Sequence, residues 1–122
     1  MLILTASIIV VLWSDSSGAD LADKLDDLVG YTIVAEKTIV GWYDDNEHEE
    51  GSFNGCSYER VILFQDNTGL TCAEYGYMYA YRPKAIILAK QSKIGEHAYY
   101  DIKMVVGDEI YDMRKIKTVK QT

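Results

Sequence analysis

The chain has only two histidines, His48 and His97, two cysteines, Cys56 and Cys72, two phenylalanines and a single proline, Pro83. Two imidazoles without a nucleophile motif leave little for acid–base or triad chemistry. The cysteines do not form a C-x-x-C motif, so neither a redox pair nor a zinc site is indicated. Neither G-x-G-x-x-G nor G-x-x-x-x-G-K-S/T occurs, so there is no phosphate-cradling loop and no cofactor is expected. No apolar run reaches the roughly 20 residues that span a bilayer as a helix. Cations are also scarce. Twelve Lys and Arg stand against 19 Asp and Glu, giving a net charge of −7. Phosphate backbones are bound by clustered Lys and Arg, so nucleic acid is not an expected partner.

The 122 residues, 48% of them hydrophobic, amount to one globular domain. Residues 2–13 form an apolar run of signal-peptide length, and Ser17 and Ala19 supply small residues at −3 and −1 of a cleavage site. The expected division is a signal peptide over 1–19, one β-rich domain over 20–115 and a basic tail over 116–122. It implies a periplasmic or secreted protein with no stable membrane insertion after cleavage. In an oxidising compartment Cys56 and Cys72 read as a disulfide, and in a reducing one as two small buried hydrophobes.

Residues 20–29 carry Leu21, Leu25 and Leu28 at helical spacing before Gly30 and predict a short helix that caps a sheet. β-Branched and aromatic residues then predict strands over 31–43, 57–65, 70–81, 84–90, 97–106 and 109–115. Residues 66–69 and Gly107-Asp108 supply turns, and 91–96 a polar loop. The expected fold is mainly β: a small antiparallel barrel or curved sheet of about six strands, SH3-like or OB-like in size, with one N-terminal helix.

Within 70–81, Tyr75, Tyr77, Tyr79 and Tyr81 recur at every second residue, the period that puts side chains on one face of a strand. If Gln65 pairs with Leu70, then Ala73 faces Ile62, Tyr75 faces Arg60 and Tyr77 faces Tyr58. A one-residue slip inverts the faces. In this register Cys72 lies about 23 Å along the strand from Cys56, so a disulfide requires residues 53–57 to fold back over the hairpin. A chain with two Phe needs large residues inside a small barrel, so the rings are expected to fill the core or its wall. Beyond Gly76 the strand outlasts its partner, and there the rings and Arg82 can form a surface.

Three functions follow. The first is a non-enzymatic binding domain for a protein, peptide or glycan, using Tyr58, Arg60, Tyr77, Tyr79, Tyr81 and Arg82. The second is an inhibitor or immunity-type protein whose acidic loop, with Asp44, Asp45, Glu47, Glu49 and Glu50, engages a cationic partner. In size, acidity, expected export and cysteine number the chain is similar to small periplasmic β-proteins that shield against cationic enzymes. The third is a small hydrolase using His97 or His48 with a carboxylate. The acidic loop fails the EF-hand spacing at Glu49 and Gly55, and the segment from His48 fails H-E-x-x-H at Ser52, so no metal is expected.

Overall fold

The computed structural model describes residues 17–115, so the tail expected over 116–122 and most of the signal peptide expected over 1–19 lie outside the described residues. Helix α1 (Ser17–Leu25) runs into a 3-10 turn at Asp26–Leu28. Gly30, at φ 91°, ends it in a conformation that glycine adopts without a Cβ penalty. Leu28 is buried, and Lys24 donates to the Asp108 carbonyl. Leu28 borders Lys103, Ile110 and Asp112, so this segment lies on the barrel wall rather than across an end.

Nine strands follow among the described residues: β1 (Thr32–Tyr43), β2 (His48–Glu50), β3 (Ser52–Phe53), β4 (Val61–Phe64), β5 (Gly69–Cys72), β6 (Ala80–Tyr81), β7 (Lys84–Ile94), β8 (His97–Val106) and β9 (Glu109–Lys115). Six of them, in the order β1-β4-β5-β9-β8-β7, close into an antiparallel barrel through a β1–β7 pairing, so the sheet has no open edge around the barrel wall. β2 is an extra strand on the last three residues of β1, and β3 and β6 form a separate two-stranded ribbon. β1 shifts register twice, between Ile33 and Ala35 and between Ile39 and Gly41. Such bulges bend a strand, and this one serves β7 with its first half and β2 and β4 with its second.

The inward positions alternate along the strands, as a half-buried sheet requires. Ile62, Phe64, Leu70, Cys72, Ala85, Ile87, Ile102, Met104, Val106, Tyr111 and Met113 form one buried cluster. Phe53 plugs one end of it, fully buried, its ring edge-on to Tyr111 at 5.7 Å. The volume expected of tyrosines is therefore supplied by aliphatic residues, Met104, Phe53 and Tyr111.

The β4–β5 register departs from expectation. Ile62 opposes Leu70, not Ala73, a shift of three residues that exchanges the faces. Ile62 and Phe64 consequently share the inner face with Leu70 and Cys72. The turn is tighter than the sequence suggested, with Phe64 opposite Thr68 and only residues 65–67 between them. The Phe64 N–H bonds to the Thr68 carbonyl at 2.9 Å, the Asn67 N–H bonds to the Phe64 carbonyl at 3.1 Å, and Asn67 takes φ 66°. Lys37 on β1 donates to Asp66 at 2.6 Å and to the Thr68 hydroxyl at 2.7 Å. The Lys37 bond first, then the Thr68 bond, hold the Asp66 carboxyl down at about 2.

The expected loop over 91–96 is also corrected. β7 and β8 continue as a hairpin out to the Ile94–His97 pair. β1 leaves β7 at Ala89, and β9 leaves β8 at Ile102. An arm of paired strand therefore stands beyond the barrel rim.

Candidate functional site

The continuous strand expected over 70–81 breaks at Cys72. There the Cys72 N–H bonds to the Arg60 carbonyl at 2.7 Å, and the next N–H, of Ala73, turns to the Asp112 carbonyl at 2.9 Å. The Cys56–Cys72 disulfide fixes this point, with Cα atoms 5.5 Å apart. Residues 53–57 do fold back, across the plugged end of the barrel. Cys56 and Gly76 exchange backbone hydrogen bonds of 2.7 and 3.0 Å. Chain 73–83 crosses over that end on its way to β7.

The tyrosines keep their period of two without a strand, and they point outward. Tyr75, Tyr77, Tyr79 and Tyr81 are 69, 80, 64 and 71% exposed. Gly76, Met78 and Ala80 alternate with them and are half-buried. The inward direction is forced at Gly76, where a Cβ would stand 2.7 Å from the Tyr111 ring. At the next alternate position, Met78 packs on the core cluster. The expectation that the rings fill the core is overturned. Tyr58, also exposed, meets Tyr75 edge-on at 4.9 Å, although the two come from loops and not from a paired ladder.

The acidic loop is part strand, since His48–Glu50 pairs with β1. Its tip is tied by Asp44, whose Oδ1 accepts from the Asn46 and Glu47 N–H groups at 3.2 and 3.0 Å. The other oxygen accepts from Arg60 Nε and Nη2, both at 3.4 Å. Arg60 also donates to the Gly55 carbonyl at 3.3 Å, and its guanidinium carbon lies 3.7 Å from the centre of the Trp42 indole. The indole N–H donates to Asn54 at 2.9 Å. Asp44 and Arg60 are therefore committed to holding the site together. Asp45, Glu47, Glu49 and Glu50 are exposed and make no ion pair among the described residues.

These parts enclose one groove of about 510 Å³. It is lined by Glu47 and Glu49 of the acidic loop, by Tyr75 and Tyr77 of the tyrosine row, and by Trp42 and Arg60. Tyr58 borders it through Tyr75. Tyr79, Tyr81 and Arg82 continue the exposed row away from it. Tyr81 lies over Gly51, and the Arg82 N–H donates to the Gly51 carbonyl at 2.7 Å. The two histidines are not brought together. His48 sits on β2 beside the groove end of β1, and His97 lies at the tip of the opposite arm. Among the described residues no three His, Cys, Asp or Glu side chains could hold a metal ion.

Sequence reasoning missed Trp42 and Asn54 as parts of the site. Their only signal was a tryptophan two residues before Asp44, where the acidic loop begins. No family model, curated protein or solved structure matches the chain.

Proposed function

We propose that the protein is a non-catalytic binding domain whose groove takes a cationic side chain of a protein or peptide partner. One observation carries the reading: the acidic loop and the tyrosine row, rivals in the sequence, line a single groove. An arginine or lysine entering it meets the carboxylates of Glu47 and Glu49 and the rings of Tyr75 and Tyr77. Charge-assisted hydrogen bonds and cation–π attraction are then available to the same group. The exposed row Tyr79, Tyr81 and Arg82 extends the surface for the rest of the partner. Tyrosine and arginine suit such a role because they offer large, partly apolar contact area. The disulfide accords with an oxidising compartment, and in this reading the domain acts in the periplasm or outside the cell.

The test is calorimetric titration with acetyl-Gly-Arg-Gly-amide and its citrulline analogue, which keeps the shape and removes the charge. The arginine peptide is expected to bind with a dissociation constant of about 1 mM, and the citrulline peptide at least about tenfold more weakly. Binding should weaken as salt rises from about 0.05 to 0.5 M, because the Debye length shortens severalfold. Equal binding of the two peptides, or none of either, would refute the proposal.

A further inference from the structure

Among the described residues, the end of the barrel opposite the groove has no plug. The inner faces of the strands there surround an apolar cavity of about 600 Å³ that opens between the β4–β5 turn and the projecting β7–β8 arm. Its floor is Phe64, Leu70, Ile87 and Ile102, all buried residues of the core cluster. Tyr100, on the arm, forms part of the lip and is 57% exposed. Barrel mouths of this kind, mostly apolar with a few polar groups at the edge, are recurrent sites for small ligands.

The charge at this mouth is opposite to that of the whole chain. In a protein of net charge −7, the charged residues that line the mouth are Lys37 and Lys115. Lys37 is held by Asp66 and Thr68. Lys115 has no carboxylate partner among the described residues; its ammonium lies 5.3 Å from the centre of the Tyr100 ring.

From these we infer that the open mouth is a second binding site, for a free single-chain fatty-acid-like carboxylate. The alkyl tail lies on Phe64, Leu70, Ile87 and Ile102, and the carboxylate meets Lys115. The tail removes apolar surface of both partners from water, so affinity grows with each buried methylene. The carboxylate gains a cation that has no ion pair among the described residues. An alkyl ammonium of the same length meets like charge. The inference does not depend on the groove reading, since it rests on the other end of the barrel.

The test is calorimetric titration of the full chain with monomeric dodecanoate. Octanoate, dodecyltrimethylammonium and phosphatidylglycerol vesicles serve as separate arms. One dodecanoate per chain is expected, with octanoate and dodecyltrimethylammonium each at least about tenfold weaker. Lys115→Glu should weaken dodecanoate about tenfold or more, and Ala89→Phe, which fills the mouth, should abolish uptake. Lys115→Glu alters an exposed side chain and keeps the test valid if Ala89→Phe fails to fold. No uptake by the folded wild-type chain, equal uptake of dodecyltrimethylammonium, or no effect of Lys115→Glu would overturn the inference. Attachment to the vesicles without uptake of the monomeric acid would do the same, by assigning the mouth to a membrane surface.

Discussion

Arg60 stacks on Trp42 with its guanidinium carbon 3.7 Å from the indole centre, and the same guanidinium holds Asp44 and the Gly55 carbonyl. One side chain thereby joins the end of β1, the loop after β3 and the start of β4. Arg60→Ala is expected to cost about 1–3 kcal/mol in urea unfolding, from the lost stacking and hydrogen bonds. Arg60→Lys should recover only part of it, since an ammonium cannot reproduce the planar fork. A loss below about 0.5 kcal/mol for Arg60→Ala would show that the joint is incidental.

The disulfide closes a loop between residues 16 apart and pins the plugged end. Replacing both cysteines with serine is expected to cost about 3 kcal/mol, the chain-entropy value for such a loop. The Cys56–Gly76 hydrogen bonds should open with it, so faster amide exchange at Gly76 than in β8 would accompany the loss. Unchanged exchange at Gly76 would mean that Phe53 and Met78 hold the plug alone.

Exposure separates the tyrosines from the residues between them. Serine at Tyr77 or Tyr79 should change stability by no more than about 0.5 kcal/mol, whereas a core tyrosine would cost about 3–5 kcal/mol. Gly76→Ala, by far the smaller chemical change, should cost about 1–3 kcal/mol, because its Cβ would meet the Tyr111 ring at 2.7 Å. Thermal or urea unfolding of these variants distinguishes an outward row from a buried one.

Tyr111 is buried with no hydrogen-bond partner for its hydroxyl among the described residues. Burial, with smaller contributions from Glu109 and Glu74, pushes its pKa up to about 12. A raised folded-state value means the folded chain holds this proton more tightly than the unfolded chain does. The contribution is fully present below about pH 10 and is lost as pH rises from about 10 toward about 12. Absorbance at alkaline pH should show a late tyrosine step at about 12, and Tyr111→Phe should remove it. The substitution should also stabilise the fold at neutral pH by up to about 1 kcal/mol, by removing an unpaired buried hydroxyl.

The barrel was legible because its strands announce themselves locally. The β-branched run of β1, the Gly107-Asp108 turn and the alternation through Ile102, Met104 and Val106 all appear in the structure where the pattern put them. The tyrosine period was also real, but the same alternation suits an inward or an outward face. What decides between them is Gly76 against Tyr111, a contact between residues far apart in sequence. The β4–β5 register depended on hydrogen bonds across residues 64–68, which composition does not specify. The groove was beyond reach for the same reason. It exists because Arg60 and the Cys56–Cys72 bond draw the acidic hairpin and the tyrosine segment to one end of the barrel. Neither wall carries a motif that names the other.

The central claim is most directly tested by following backbone and indole N–H resonances while adding acetyl-Gly-Arg-Gly-amide to the full chain. The groove predicts saturable shifts at the Trp42 indole N–H and at the Glu47, Glu49, Tyr75 and Tyr77 amides, with none at the Lys115 end. Glu47→Gln/Glu49→Gln should abolish them while the barrel resonances stay in place. Shifts that are absent up to about 10 mM peptide, that cluster elsewhere, or that persist in the double variant would contradict the account.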